Sequence, residues 1–231
     1  MSLRATGMVA LMKQMPAPAS HPVEVCRQHK LVPVIAIRDA DAGPELAAAL
    51  SAGGLPIVEV TMRTEAAPAA MSKIAAGNAR VTLLAGTVTT PEQAQLAVDS
   101  GAQMIISPGL NTRVVEHCLK HDIPVMPGVC TPTEIELARN YGLKFLKFFP
   151  AEAYGGVKTL KALADVYSAF GFMPTGGINA QNLGDYLKLP IVIACGGSWM
   201  APADLVDQRK FDDIAKLAER AVTTVRHGRD A

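Results

Sequence analysis

No block of like charge interrupts this sequence: 22 lysines and arginines stand against 21 aspartates and glutamates, for a net charge of +1. A protein that grips nucleic acid or an anionic membrane surface needs a basic stripe, so neither partner is expected. No apolar run approaches the ~18 residues of a membrane span. The first 20 residues, MSLRATGMVALMKQMPAPAS, hold one short apolar patch broken by Lys13. They lack the apolar core of a signal peptide and read as a loose arm. Only four cysteines occur, Cys26, Cys118, Cys130 and Cys195, scattered and without a CxxC pair. A chain of this length needs no disulfide staples, so the expectation is reduced, buried thiols in a cytoplasmic protein. Histidine is equally sparse. His21, His117, His121 and His227 fall on helices or termini, and His29 lies at the start of a strand, so no metal-ligand set is expected. No GxSxG or Cys–His arrangement for acyl transfer is present, and Trp199 and Phe170 read as packing groups.

What the chain does have is alternation. Hydrophobic residues make up 49% and charged residues 19%, as in a compact α/β enzyme. Short runs rich in Val, Ile and Leu recur at 32–37, 56–61, 81–87, 104–107, 124–128, 143–148, 171–175 and 191–195. Helix-like segments lie near 42–52, 65–76, 91–100, 111–121, 132–141, 156–169, 180–188 and 210–226. Thr90-Pro91 and Thr131-Pro132 each place a capping hydroxyl before a first-turn proline. Continuous apolar strands alternating with helices imply a parallel sheet covered on its outer face. Eight such units fit one closed (β/α)8 TIM barrel over residues 21–231, with an extra N-terminal helix at 22–30 closing its bottom. An open doubly wound sheet would also alternate, but no GxGxxG follows the first strand.

In a barrel, functional groups collect where strands end at their C-terminal side. Those positions hold Arg38-Asp39, Glu59 to Thr64, Thr87, Pro108-Gly109, Pro127-Gly128, Lys147 to Pro150, Thr175-Gly176-Gly177 and Gly196-Gly197-Ser198. In YGLKFLKFFPAE, Lys144 and Lys147 are three apart, so in a strand they face opposite ways. Lys144 stands at the strand's start and reaches water, whereas Lys147 stands at its far end on the face of Phe145 and Phe149. An ammonium is costly to keep charged in a confined apolar site, and a neutral amine attacks ketones to form a Schiff base. The plainer alternative is a lysine whose stem packs on aromatics. Glu59 lies inside an apolar strand, a candidate proton carrier. Arg63 offers a planar fork for a carboxylate, although Glu59 and Arg63 could also form a structural pair. The glycine clusters TGG (175–177) and GGS (196–198) follow the seventh and eighth strands, where such barrels bind phosphate through backbone N–H groups. Either cluster alone could be a tight turn.

EVTMRT, AGTVTTPEQ, ISPGL, PVMPGVCTPTE, YGLKFLKFFPAEAYGGVKTLKAL, PTGGIN and GGSWM, in this order from about Val32 to Val222, resemble the 2-keto-3-deoxy-6-phosphogluconate (KDPG) aldolase family. That family often also cleaves 4-hydroxy-2-oxoglutarate (KHG). The resemblance implies a class I carbon–carbon lyase of the Entner–Doudoroff pathway, with Lys147 as the Schiff-base residue and Glu59 as the general acid/base. It implies that Arg63 and Thr87 bind the pyruvate end and that Pro108 and Phe149 line the pocket. Thr175, Gly176, Gly177, Gly197 and Ser198 would hold the hydroxyls and phosphate. No cofactor beyond the covalent lysine adduct is implied, the partner is a small phosphosugar acid, and a homotrimer is expected. Met62 replaces the family's usual leucine, a volume-conserving change, and the arm before Ala19 has no counterpart. Two other readings share the phosphate loops: a phosphosugar isomerase or epimerase, and a non-catalytic phosphosugar-binding barrel.

Overall fold

The computed structural model describes residues 21–227; the arm expected at 1–20 lies outside them. Nine short parallel strands run from β1 to β9. They are β1 (Leu31–Ile35), β2 (Ile57–Thr61), β3 (Thr82–Gly86), β4 (Met104–Ile106), β5 (Val125–Met126), β6 (Gly128–Val129), β7 (Phe145–Phe148), β8 (Gly171–Pro174) and β9 (Cys195–Gly197). Helix α1 (Pro22–His29) precedes them. The intervening helices are α2 (Gly43–Ala52), α3 (Ala67–Ala76), α4 (Pro91–Asp99), α5 (Thr112–Lys120), α6 (Pro132–Asn140), α7 (Gly156–Ala164) and α8 (Leu183–Leu187). After β9 come α9 (Ala203–Asp207) and the long α10 (Phe211–His227), which packs along α2.

The expected closed eight-stranded barrel is not what forms. Six strands build a curled half-barrel in the order β5-β4-β3-β2-β1-β9, and three build a separate small sheet, β6-β7-β8. The fifth apolar run splits at Pro127, which has no N–H to continue a ladder. Before the proline, β5 pairs with β4. After it, β6 pairs with β7, and the Pro127 carbonyl accepts from Lys147 N at 2.9 Å. At the other seam, β8 meets the chain before and within β9 only through the isolated bridges Phe172↔Val192 and Thr175↔Gly196. The eighth strand also falls later than its apolar run: Leu31, Val32 and Pro33 pair with Cys195, Gly196 and Gly197. Burial, not pairing, accounts for the apolar run 191–195 itself, all of which is buried.

The inner faces of both sheets share one small core of Val32, Ile57, Leu84, Met104, Ile106, Met126, Met173, Ile193 and Ala194. Val23 and Cys26 of α1 complete it, so the N-terminal helix plugs the end opposite the strand tips. A larger core fills the layer between strands and outer helices. The capping residues act as their types dictate: Thr90 Oγ1 accepts from Gln93 N at 3.2 Å. At α6 a full capping box joins Thr131 and Glu134. Burial pushes the Glu134 carboxyl up, but hydrogen bonds from the Cys130 and Thr131 N–H groups and the Thr131 hydroxyl outweigh it and leave it below its usual range.

Candidate active site

Lys147 sits in β7 with Gly128 of β6 and Met173 of β8 beside it in register. Glu59 is the middle residue of β2, between Val34 and Leu84. Both side chains point into the shared interior, and Lys147 Nζ donates to Glu59 Oε1 at 3.1 Å across it. Side-chain exposure is 5% for the lysine and 0% for the glutamate, so water screens this pair little. Removing one partner of such a pair costs about 3–5 kcal/mol, because the other is left as an unpaired buried charge. The second carboxylate oxygen, Glu59 Oε2, is buried and has no hydrogen-bond partner among the described residues. A carboxylate oxygen left unpaired beside an amine can accept a proton. Lys147 Nζ also stands 5.3 Å from the centre of the Phe149 ring. Lys144, at the other end of the segment, is exposed.

Arg63 follows β2 at the exposed rim, and its Nε donates to Thr61 Oγ1 at 3.1 Å. Thr61 is buried and donates in turn to the Ile35 carbonyl, also at 3.1 Å. Thr87, immediately after β3, has φ +57, a left-handed conformation that is a genuine outlier for a β-branched residue. Pro108, half-buried after β4, borders a cleft of about 310 Å³ with Val88, Thr89, Gly109, Leu110 and Asn111.

The two glycine clusters meet: Thr175 and Gly196 form a bridge between the tips of β8 and β9. The Thr175 hydroxyl is buried without a partner among the described residues. Gly176 and Gly177 have φ of +102 and +82, values closed to most side chains. The carbonyls of Thr175 and Gly176 accept from the N–H groups of Ala151 and Glu152 at 2.8 and 3.1 Å. In a planar trans peptide the C=O and the next N–H point opposite ways. The N–H groups of Gly176 and Gly177 therefore point away from Ala151 and Glu152, and successive backbone N–H groups can form an anion nest. Gly197 is buried and Ser198 exposed.

Of the expected residues, Lys147 and Glu59 are thus in direct contact with the Phe149 ring facing the Lys147 amine, Thr175 bridges to Gly196, and Arg63 is held through Thr61. Two glycines to which sequence reading assigns no specific role shape this space. A Cβ on Gly86 would lie 2.0 Å from Glu59 Oε1, and one on Gly128 2.1 Å from the Pro108 carbonyl oxygen. A glycine inside a strand marks such close approach, and that signal was available in AGT and PGV. Cys26 of α1 lies beneath the pair: burial, and then the Glu59 charge, push its thiol up to about 12. His117, on α5, and His121, just past its end, have ring centres 4.7 Å apart. Among the described residues no group of three or more His, Cys, Asp or Glu is placed to hold a metal ion, and no helix is long and apolar enough to cross a membrane.

Comparison with known proteins gives this geometry a family. A 2-dehydro-3-deoxy-phosphogluconate aldolase of Treponema pallidum is 44% identical over 202 residues, 87% of this chain and 96% of the relative. A KHG/KDPG aldolase of Escherichia coli is 45% identical over 192 residues, 83% and 90% of the two chains. Among solved structures, KDPG aldolase from Legionella pneumophila, holding pyruvate captured as a covalent carbinolamine intermediate, superposes with a TM-score of 0.84 at 37% identity, covering 87% of this chain and 97% of that one. The aldolase of Zymomonas mobilis with 3-phosphoglycerate superposes at 0.79 and 35% identity, covering 86% and 94%. The half-barrel with its small sheet is therefore the arrangement this chain shares with aldolase structures. Residues 23–217 match the aldolase family described as KDPG and KHG aldolase, and the chain belongs to that family.

Proposed function

We propose that this protein is a class I aldolase that cleaves KDPG to pyruvate and glyceraldehyde 3-phosphate, with Lys147 as the Schiff-base residue. The observation that supports the reading is the buried pair inside an aldolase fold, an amine 3.1 Å from a carboxylate whose second oxygen has no partner among the described residues. Glu59 takes a proton from the Lys147 ammonium, and the freed amine adds to the C2 ketone. Glu59 passes that proton to the carbinolamine hydroxyl, which leaves as water to give an iminium, and the carboxylate is free again. Glu59 then removes the C4 hydroxyl proton, the C3–C4 bond breaks, and its electron pair moves into the iminium, which becomes an enamine as the aldehyde leaves. Protonation at C3 and hydrolysis return the amine and release pyruvate. Arg63 and Thr87 hold the carboxylate end, so that the ketone meets Nζ in an attacking geometry. Pro108 and Phe149 wall the pocket. Thr175, Gly176, Gly177, Gly197 and Ser198 take the hydroxyls and phosphate of the departing half.

The same site accepts KHG, giving pyruvate and glyoxylate, since the pyruvate half is common to both substrates; the Escherichia coli relative carries both names. An isomerase or epimerase would use the same phosphate loops but would not need Lys147 buried. The proposal includes a homotrimer in the cytoplasm, on the family resemblance, and light scattering after gel filtration reads the assembly directly. Release of pyruvate from KDPG and from KHG, followed with a coupled dehydrogenase, tests the activity. No pyruvate from either substrate rejects it.

A further inference from the structure

In the phosphate loop, three successive carbonyls are held by the scaffold, but not by the same kind of donor. Those of Thr175 and Gly176 accept from backbone N–H groups of Ala151 and Glu152, and backbone donors do not depend on side-chain identity. The third, from Gly177, accepts from a side chain, Asn182 Nδ2 at 3.1 Å, with Asn179 Nδ2 more distant at 3.5 Å. The orientation of the Asn182 amide is fixed by its other end: Oδ1 accepts from the Asn179 N–H at 2.9 Å, a bond only the oxygen can make. Asn179 Oδ1 closes the turn by accepting from Gln181 N and Asn182 N at 2.9 and 3.2 Å.

Gly177, with φ +82, is exposed, and as a glycine it has freedom of rotation on both sides. Without a donor on its carbonyl, the peptide joining Gly177 to Ile178 is free to turn over. With Asn182 in place, the carbonyl is drawn to that side chain, and the Ile178 N–H points the opposite way, away from Asn182. We infer that Asn182 is a positioning residue of the phosphate subsite: by holding the Gly177 carbonyl it adds the Ile178 N–H as a third donor to the nest. It acts on the phosphorylated half of the substrate only, and the inference rests on the phosphate reading given above.

Steady-state kinetics on two substrates tests this, because KHG carries no phosphate. Asn182→Ala raises KM for KDPG about threefold to tenfold, the range lost with one neutral hydrogen bond. It changes kcat by less than twofold and moves kcat/KM for KHG by less than twofold. The inhibition constant of inorganic phosphate against KDPG rises in parallel. Equal losses on both substrates, as a structural role requires, overturn the inference, and so does an unchanged KM for KDPG. Asn182→Asp keeps the oxygen that accepts from Asn179 N–H, loses the donor and adds a negative charge, so it shifts KM further in the same direction. It carries the test if the alanine variant is too unstable to assay. If inorganic phosphate fails to compete in the wild type, the phosphate reading falls and this inference with it. Competition in the wild type together with unmoved variants overturns the inference alone.

Discussion

The substitution Gly86→Ala isolates how the Glu59 carboxylate is aimed. Gly86 lies in β3 opposite Thr61, with no left-handed backbone that an alanine would strain. The added methyl would fall 2.0 Å from Glu59 Oε1, 2.6 Å from Cδ and 2.7 Å from Cγ, where ordinary contact begins near 3.4 Å. The carboxylate must therefore retreat by more than about 1 Å, and a displacement of that size costs roughly 10²-fold in rate when a reacting group is misplaced. Because the obstructing atoms are the end of one side chain, the fold accommodates the methyl at about 1–3 kcal/mol, the usual cost of overpacking. The expected outcome is a variant that stays folded at 25 °C and loses about 10²-fold in kcat for KDPG. Borohydride trapping of pyruvate slows as well, since the amine has lost its proton acceptor. Kinetics and urea denaturation on the same preparation read both quantities. A folded Gly86→Ala enzyme with wild-type kcat refutes the claim that the Glu59 position is catalytic.

Three further outcomes follow from the same geometry. Thr61→Val keeps the shape of the side chain but removes the oxygen that accepts from Arg63 Nε, so KM for both KDPG and KHG rises about threefold to tenfold with kcat nearly unchanged; an effect confined to one substrate contradicts this. Thr87→Asn replaces a β-branched residue at φ +57 with one that tolerates this region, and urea denaturation should show a gain of about 1 kcal/mol alongside a loss of activity. No gain in stability means the strain is absent. Burial lowers the pKa of half-buried His29 below its ordinary 6.5, against a smaller upward pull from the Gly54 backbone. The folded state thus binds the proton less readily than the unfolded one. Its contribution is intact above pH 6.5 and declines as pH falls below that value. His29→Gln flattens the stability slope in that acid window, and an unchanged slope counts against the assignment.

Much of the site was legible because its residues contradict their surroundings. A glutamate within IVEVT and a lysine within FLKF are charged groups in apolar strands, and both proved to face one interior. Strand alternation separated exposed Lys144 from buried Lys147 without any coordinates. The spacing of the strand–helix units was legible too. Closure was not, because apolar periodicity reports burial and not hydrogen bonding. Residues 191–195 are buried but contribute only Cys195 to a strand. Pro127 divides what reads as one strand into β5 and β6. The supporting residues were hidden for a related reason. Gly86, Gly128, Thr61 and Asn182 act through atoms brought near by the fold, and their types have common structural roles in any chain.

The central claim is that Lys147 forms the covalent bond with substrate. Incubation with pyruvate and borohydride, followed by proteolysis and mass spectrometry, tests it most directly. One reduced pyruvyl adduct is expected, on the peptide containing Lys147, with parallel loss of activity and no adduct in Lys147→Ala. An adduct on Lys144 or another lysine, or full activity after trapping, contradicts it.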